Sequence, residues 1–488
     1  MAATADLTVC RVSDYFGLGM TQPQLDFVDV DVVGDTEVFL DPTALLGLRS
    51  TWGHECVALI QDFFQHVLHL IESGRHQEAV DLLSRLREPN ETHLGMSKGR
   101  ARGHGLGSES AHRLWEALRL SEAVKSGMLR DLEDTILMVE GVAADIVSDI
   151  ATNIIRLPLV HFTQATCQEV GIPCQPGLAV APLWSPASHS WYSDFQPMPL
   201  TPTGPLLLVP KVIVRRRLEY DVEEYIHKYL LPFLGDAEIE AKTALVKVLK
   251  SGPRVYNKDL IEKYGDGKRM LIEQTKLHPE ILERYRRAKR DADSVRRPPL
   301  GHEELADISS TSAPHWDSLL ARVLATPVGN DAANEYHEAI YQLLRPLLHP
   351  LTNARKEVKI HDGRKRIDIM FENAATDGFF AWLAQHFPAA YVFAECKNYG
   401  KELANPELDQ IAGRFSPSRG QFGIIVCRSL ADPELFAERC RDTANDHRGY
   451  VVAITDEDLV TLVEEAKIGG YNARQFSLLK EAFAKLVL

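Results

Sequence analysis

The sequence predicts an α/β protein in which a mostly α-helical N-terminal region with a few strands precedes a C-terminal domain built around a mixed sheet. Segments of helical and strand periodicity alternate after residue 330 in the order αβββαβαβ, which is typical of a central mixed sheet flanked by helices. Two segments nearer the N-terminus, residues 54–88 and 108–170, carry apolar side chains at helical spacing. These contrasting patterns indicate more than one domain.

The length of the chain, 488 residues, suggests several domains of roughly 100–200 residues each. We expect a mostly helical recognition or regulatory domain at residues 1–204, a strand followed by basic helices at residues 205–300, and the α/β domain at residues 301–488. The polar and proline-containing segment at residues 291–301 is typical of a linker.

Composition and charge exclude several classes of protein. The formal net charge of −14 argues against a protein that coats nucleic acid over its whole surface, but it leaves room for a local basic cleft. The seven cysteines form no CxxC pair, which argues against a disulfide framework and against a thiolate zinc site. There is no basic start followed by an apolar stretch, and no apolar run reaches the ~18 residues of a membrane span. We therefore expect a cytoplasmic protein that has no membrane association.

The region before residue 300 has mixed patterns. Its predicted elements are short strands and turns at 7–46, two helices at 54–88, a long helical region at 108–170, an irregular connection at 171–204, a buried strand at 206–214, a helix near 220–233 and basic helices at 241–300. This last segment has 16 Lys and Arg residues against 8 Asp and Glu residues. It either contacts phosphate backbones or forms a solvated helical surface.

Three further patterns each have a structural and a functional interpretation. The glycine-rich loop at residues 98–107 is either a surface loop or a phosphate cradle. Asp145, Asp149, Asn153 and Arg156 share a helix face and form either a polar network or a small-molecule or metal site. The aspartates of residues 26–41 either form an alternating polar face or bind a cation.

The C-terminal domain has a clear order of elements. The predicted elements are a helix at 332–348, strands at 357–360 and 366–371 joined by an Asp-Gly turn, a short helix around 379–383, a strand at 391–399, a helix at 406–415, a strand at 423–427, a further helix and a strand at 450–454.

Charged residues recur on the predicted polar faces of this domain. Asp368 lies on the polar face of strand 366–371, and Glu395 and Lys397, two residues apart on the next strand, share one face. Gln410 and Arg414, four residues apart, share a face of the following helix. Because Glu and Lys are seldom buried unless they are paired, two of them on a central strand indicate a functional site.

Asp368, then Glu395-Cys396-Lys397, then Gln410, in this order of elements, resembles the signature of the PD-(D/E)XK, or restriction-endonuclease-like, nuclease superfamily. The resemblance covers roughly residues 330–460, and Ile367 stands where the family's usual proline precedes the aspartate. It implies a restriction-endonuclease-like fold for the C-terminal domain and metal-dependent hydrolysis of phosphodiester bonds.

The resemblance also implies a cofactor and a set of roles. Mg²⁺, with Mn²⁺ as a substitute, would be held by the carboxylates of Asp368 and Glu395 and the backbone carbonyl of Cys396. Lys397 would position or deprotonate the attacking water, and Gln410 would orient Lys397 or contact the DNA backbone.

Five further residues complete the predicted site. In related nucleases the opening helix often adds an acidic ligand, for which Glu338 is the first candidate here and Glu335 the second. The candidate nucleic-acid contacts are Arg414, Lys365 and Arg366, since positively charged side chains can contact phosphate groups.

The implied function is that of a Mg²⁺-dependent DNA endonuclease that acts as an effector in prokaryotic restriction or anti-phage defence. The expected partners are DNA, with RNA as an alternative, a second copy of the chain in a homodimer that cuts both strands, and a partner defence protein. Two alternatives stay open: a structure-specific DNA repair or recombination nuclease, and a non-catalytic nucleic-acid-binding scaffold.

Overall fold

The computed structural model describes residues 10–95, 114–119, 131–218, 220–250, 252–290, 298–310, 314–399, 403–468 and 475–487. The glycine-rich loop predicted at residues 98–107 lies outside these residues, as does most of the predicted linker at 291–301. Within the described part, no helix combines the length and the apolar character that crossing a membrane would require.

The N-terminal part is organised around one apolar core, to which side chains between Val12 and Leu305, and also Ala374, contribute. Phe63 and Tyr225, from the two segments expected at 1–204 and 205–300, are both fully buried in it. Its helices are α1 (Val12–Tyr15), α2 (Pro42–Leu45), α3 (Thr51–Glu72), α4 (His76–Leu83), α5 (residues 114–119), α6 (Asp134–Met138), α7 (Ala144–Ile154), α8 (Arg156–Val170), α9 (Val222–Tyr225), α10 (Leu231–Glu240), α11 (Asn257–Tyr264), α12 (Gly267–Leu277), α13 (Pro279–Arg290) and α14 (His302–Ser309), with a π-helical segment, Ile226–Leu230, between α9 and α10. Its strands are β1 (Phe39–Leu40), β2 (Cys174–Ser185), β3 (Ser190–Thr201), β4 (Gly204–Pro205), β5 (Val214–Arg215), β6 (Lys247–Leu249) and β7 (Gly252–Arg254).

The two helices predicted at residues 54–88 are confirmed as α3 and α4. Ser50 caps the first of them, because its hydroxyl oxygen accepts a hydrogen bond of 3.1 Å from the backbone N–H of Gly53. One stripe of α3, which includes Ile60, Phe63 and Val67, is buried in the core.

The irregular connection predicted at residues 171–204 is wrong, because these residues form the antiparallel hairpin β2–β3. Trp184 and Trp191 lie opposite each other in this hairpin, and both rings contact Phe63 of α3 at centroid distances of 4.9 and 5.3 Å. The segment is rich in proline and serine, which mask the strand period in the sequence, whereas burial of the tryptophans against α3 stabilises the strands.

The buried strand predicted at residues 206–214 is also wrong in its conformation. The segment is buried, but only its last residue, Val214, belongs to a strand, and a 3-10 turn at Lys211–Ile213 precedes it. Pro210 lies in the middle of the segment and has no N–H to donate, which interrupts a strand ladder. Of the short strands predicted at residues 7–46, the described residues, 10–46, contain β1, and elsewhere in this range isolated bridges such as Arg11–Asp31 stand in place of strands.

Two predicted helical regions are interrupted. The region at 108–170 includes α7 and α8, which meet at Ile155; Pro158, in the first turn of α8, has no N–H for a continuous helix. The basic region at 241–300 begins with the hairpin β6–β7 before its helices α11 to α13.

The C-terminal domain contains a five-stranded mixed sheet in the order β12-β11-β10-β9-β8. Its strands are β8 (Leu351–Ile360), β9 (Lys365–Asn373), β10 (Tyr391–Lys397), β11 (Phe422–Cys427) and β12 (Tyr450–Ile454). Neighbouring strands are antiparallel from β8 to β10 and parallel from β10 to β12. Every residue of β11 is buried, as expected for a central strand covered on both faces.

The helices of this domain are α15 (Trp316–Ala325), α16 (Ala333–Leu347), α17 (Gly378–His386), α18 (Asn405–Ala412), α19 (Pro433–Asn445), α20 (Asp456–Ile468) and α21 (Ser477–Val487). The predicted αβββαβαβ order is confirmed within the described residues, with α17 as the short helix between β9 and β10. A second apolar core, separate from the N-terminal one, lies between these helices and the sheet.

A buried polar contact joins the N-terminal part to the C-terminal domain. The carboxylate of Asp26 accepts hydrogen bonds from the Arg345 side chain at 3.1 Å, from the Ala354 backbone N–H at 3.3 Å and from the Thr352 hydroxyl at 3.4 Å. Asp26 and Arg345 are both buried. Because Arg345 ends α16 and the other two donors lie on β8, Asp26 connects the N-terminal part to the sheet.

Candidate active site

The two predicted carboxylates lie side by side on antiparallel strands. The ladder between β9 and β10 pairs Ile369 with Ala394, and Asp368 and Glu395 are the next residues on their strands, on the opposite face. The backbone N–H of Cys396 donates a hydrogen bond of 3.1 Å to Oδ2 of Asp368. The structure thus brings together the two carboxylates that the resemblance assigns to one metal ion.

Lys397 is the last residue of β10 and lies on the same face as Glu395. Its Nζ donates a hydrogen bond of 2.8 Å to Oε1 of Gln410 and lies 3.7 Å from Oε2 of Glu395. The Lys397 side chain is only 11% exposed, so its ammonium group is held by these two partners rather than by bulk water.

Helix α18 places Gln410 above the carboxylates. Nε2 of Gln410 donates a hydrogen bond of 3.2 Å to Oε2 of Glu395. The helix approaches the sheet closely because Gly423 of β11 has no side chain: a Cβ there would lie 2.5 Å from Cδ1 of Ile411. The amide of Gln410 thereby bridges a carboxylate and an ammonium group.

Arg414 lies inside the site and not on an exposed nucleic-acid-binding surface. Its Nη1 lies 3.1 Å from Oε1 of Glu395 and donates a hydrogen bond of 2.6 Å to the Gln410 carbonyl. Its Nε donates to the carbonyl of Arg366. Arg414 is buried, so we interpret it as a counter-charge to Glu395 that also fixes the end of α18 to β9.

The other two predicted nucleic-acid contacts are exposed beside the site. Nζ of Lys365 donates a hydrogen bond of 2.6 Å to the Gly413 carbonyl. Nη1 of Arg366 lies 3.1 Å from Oε1 of Glu357. Lys365 and Arg366 are the first two residues of β9 and lie three and two residues before Asp368.

Burial and neighbouring charges change the protonation of the site. Burial, with a contribution from the carboxylate of Asp368, raises the pKa of Glu395 to about 7, and the charges of Arg414 and Lys397 offset this only in part. Burial also raises the pKa of the Cys396 thiol well above its ordinary value, which leaves it neutral. A further positive charge close to Glu395 would therefore stabilise the ionised form of its carboxyl group.

The structure does not bring Glu338 to these residues. Glu338 accepts hydrogen bonds from Nζ of Lys356 at 2.6 Å and from Nε2 of Gln342 at 2.8 Å. Lys356 is the register partner of Ile369, so it lies on the face of the sheet opposite to Asp368. The second candidate, Glu335, is exposed in the first turn of the same helix, α16.

Three residues that the sequence did not single out support the end of β10. Oδ1 of Asn398, which follows Lys397, accepts a hydrogen bond of 2.7 Å from Nε of Arg428, and Nη1 of Arg428 donates to Asp456 at 3.0 Å. Asn398, Arg428 and Asp456 follow the parallel strands β10, β11 and β12. Polar residues directly after neighbouring apolar strands are the signal that could have found them, because the carboxyl ends of parallel strands meet at one edge.

The donor set is compatible with a hard divalent cation. Oε1 of Glu395 is buried and accepts no hydrogen bond from any residue that the structure describes, although the Arg414 guanidinium is close. In the described part of the chain, no group of three or more His, Cys, Asp and Glu side chains is arranged to hold a metal. Two carboxylates suffice for Mg²⁺, which keeps several of its waters, so Asp368 and Glu395 fit this ion.

Two other candidate groups form polar contacts within the N-terminal part. Asn153 and Arg156 are joined by a hydrogen bond of 2.7 Å, and burial, together with nearby acidic residues, raises the pKa of Asp149 to about 8. Asp29 accepts hydrogen bonds from the backbone N–H and the hydroxyl of Ser13, at 2.9 and 2.6 Å. These contacts support the interpretation of both groups as polar networks.

The chain is thus a mixed α/β protein that carries an Asp–Glu–Lys–Gln cluster on one face of a five-stranded sheet. Residues 17–221 match the family model of a domain of unknown function, DUF8370. No curated protein and no solved structure matches the chain. The family match lies in the N-terminal part and does not include the cluster.

Proposed function

We propose that the C-terminal domain is a restriction-endonuclease-like hydrolase that cuts phosphodiester bonds in DNA and depends on Mg²⁺. The observation that carries this proposal is the convergence of Asp368, Glu395, Lys397 and Gln410 on one face of β9, β10 and α18. Three separate elements contribute these residues, and two of them, Glu395 and Lys397, are almost completely buried. Burial of a charged group costs free energy unless the group is paired. Such groups are found most often at functional sites.

The order of the sheet supports the same proposal. An opening helix, an antiparallel β8–β9–β10 unit and parallel additions on the far side of β10 place the carboxylates where the antiparallel and parallel halves meet. This is the arrangement that the proposed restriction-endonuclease-like fold requires.

The residues of the chain would divide the reaction between them. Asp368 and Glu395 would hold Mg²⁺, which when bound polarises the phosphate and lowers the pKa of a water. Lys397 would hold the attacking water and offset negative charge that develops on the phosphate oxygens. Gln410 would keep the Lys397 ammonium directed along the strand face, through the hydrogen bond of 2.8 Å.

The test is cleavage of supercoiled plasmid by the purified full chain, with Mg²⁺, with Mn²⁺ and with a chelator. We expect metal-dependent nicking or linearisation that Lys397→Ala abolishes. Lys467→Ala is the matched control, because Lys467 also pairs with acidic side chains, Asp317 and Glu464, but lies on α20 outside the cluster. Equal cleavage by Lys397→Ala and the control would contradict the proposal.

The same assay separates the alternatives. A clear preference for branched or flapped DNA over linear duplex would favour a repair or recombination nuclease. Metal-independent binding with no cleavage, unchanged by Lys397→Ala, would favour a scaffold. A role in restriction or anti-phage defence, a homodimer and a partner defence protein stay predictions from the resemblance.

A further inference from the structure

The hairpin that joins β8 to β9 concentrates positive charge beside the candidate site. Between residues 355 and 366, which we call the cationic hairpin, there are six Lys and Arg side chains and two acidic ones, whereas the whole chain has a net charge of −14. Lys359, Arg364, Lys365 and Arg366 are all exposed. A local cluster of this kind in an acidic protein indicates an anionic partner.

Two charges of the hairpin, those of Lys359 and Arg366, continue the face of the sheet that holds the carboxylates. Arg366 lies two residues before Asp368 on β9, so both side chains lie on the same face. Lys359 of β8 is the direct register partner of Arg366 and therefore shares this face. An anion that reached Asp368 along the sheet would pass these two cations.

Lys359 and Arg366 are like charges in directly opposite positions, which destabilises a strand pair. Glu357 offsets Arg366 through an exposed ion pair of 3.1 Å. Lys359 forms no ion pair with any residue that the structure describes. The hairpin therefore retains an uncompensated positive charge that an external anion would neutralise.

The base of the hairpin is fixed to the helix that carries Gln410. Nζ of Lys365 donates to the Gly413 carbonyl, and Nε of Arg414 donates to the Arg366 carbonyl. Both contacts join β9 to the residues that directly follow α18. A ligand held by the hairpin would thus have a defined position relative to the carboxylates.

We infer that the cationic hairpin contacts the sugar-phosphate backbone of duplex DNA next to the bond that is cut, with Lys359 and Arg364 as the principal phosphate contacts. This inference rests on the proposed function, and it adds the surface that holds the substrate. Duplex DNA fits because its phosphates form a continuous row of charges that extends from the site to the hairpin. Contacts of this type carry no base information, so binding through them is independent of sequence.

The experiment measures fluorescence anisotropy of a labelled DNA duplex of about 30 base pairs in the presence of a chelator. The full chain with Lys397→Ala serves as background, to which either Lys359→Gln and Arg364→Gln or the control pair Arg75→Gln and Lys228→Gln is added. Arg75 and Lys228 are also exposed, and each pairs with a glutamate on its own helix surface.

We expect the hairpin pair to weaken binding about tenfold at ~100 mM salt, and to reduce the slope of log affinity against log salt by about 2, since two phosphate contacts are lost. The control pair should stay within about twofold of the background. Thermal unfolding of all three proteins checks that they are equally folded.

Each other outcome has a defined meaning. Equal affinity and slope for the hairpin pair and the control pair would overturn the inference but leave the proposed function intact if the wild-type chain cleaves plasmid. Tighter binding of single-stranded RNA or of anionic vesicles, lost in the hairpin pair, would overturn duplex DNA as the partner. Absence of both DNA binding and plasmid cleavage would overturn the proposed function itself.

Discussion

Nζ of Lys397 donates a hydrogen bond of 2.8 Å to Oε1 of Gln410, on the helix that follows its strand. The same amide donates through Nε2 to Glu395, so a neutral side chain separates the ammonium group from the carboxylate. Lys397 consequently stays 3.7 Å from Glu395 and does not form a tight ion pair with it. The Lys397 ammonium and the Glu395 carboxylate can therefore both interact with a third group.

Loss of this amide should slow catalysis without loss of substrate binding. In Gln410→Ala, Lys397 would move toward Glu395 and away from the attacking water. We expect the rate of plasmid cleavage to fall by up to about a hundredfold, with duplex affinity unchanged. Gln342→Ala, which removes a glutamine that contacts Glu338 on the opposite face, is the control. Equal rates for the two variants would show that Gln410 does not position Lys397.

The opposite-face position of Glu338 has a direct consequence for metal dependence. We expect Glu338→Gln to leave the Mg²⁺ concentration for half-maximal cleavage within about twofold of the wild type, because Glu338 is paired with Lys356 behind the sheet. Asp368→Asn should abolish cleavage at every Mg²⁺ concentration. A requirement for much more Mg²⁺ in Glu338→Gln would instead identify Glu338 as a ligand.

Removal of the Asp26 carboxylate should destabilise the whole chain. In Asp26→Ala, the buried Arg345 guanidinium loses a counter-charge, and the Ala354 N–H loses its acceptor. We expect the free energy of unfolding in urea to fall by about 3 kcal/mol. Asp194→Ala is the control, since Asp194 is exposed and, among the residues that the structure describes, its carboxylate accepts hydrogen bonds from its hairpin neighbours Phe195 and Gln196 alone. A similar small change in both variants would argue against a stabilising contact at Asp26.

Stability should also depend on pH through Glu133. Burial, with help from the carboxylates of Asp134 and Asp41, raises the pKa of Glu133 to about 7. The folded chain therefore binds this proton more tightly than the unfolded chain, whose glutamate pKa is about 4.3. The free energy of unfolding consequently falls as pH rises through this interval and stays lower above it.

Replacement of Glu133 by glutamine removes this titration. We expect Glu133→Gln to be more stable than the wild type at pH 8, by roughly 4 kcal/mol at most, and similar to it near pH 4. Denaturation curves at both pH values measure the difference. Glu335→Gln, at an exposed position, should show no such difference between the two pH values. If Glu133→Gln changed the free energy of unfolding by the same amount at both pH values, titration of Glu133 would not be the cause of the change.

The elements of the C-terminal domain were predictable because local patterns and long-range packing agree there. The strand at residues 450–454 has the predicted bounds, and the helix at 332–348 differs by one residue at each end. Strand alternation also predicted that Glu395 and Lys397 share a face, since that relation depends only on the backbone. Pairing with Asp368 required in addition that β9 and β10 be neighbours in the register that places Asp368 opposite Glu395.

Other features depend on contacts that no local pattern contains. The register of β8 against β9 places Lys356 opposite Ile369. It therefore decides on which face of the sheet Lys356 meets Glu338. The burial of Arg414 follows from the close approach of α18 to Gly423. The β2–β3 hairpin is stabilised by tryptophans that pack on α3, more than 100 residues earlier in the chain.

The contact between Asp26 and Arg345 joins positions 319 residues apart. A gene rearrangement that attached a different N-terminal half to this C-terminal domain would leave the arginine buried without its counter-charge. A substitution at either position would also change which residues selection accepts at the other. We therefore expect the two halves to be inherited together during evolution and not exchanged separately, even though their hydrophobic cores are separate.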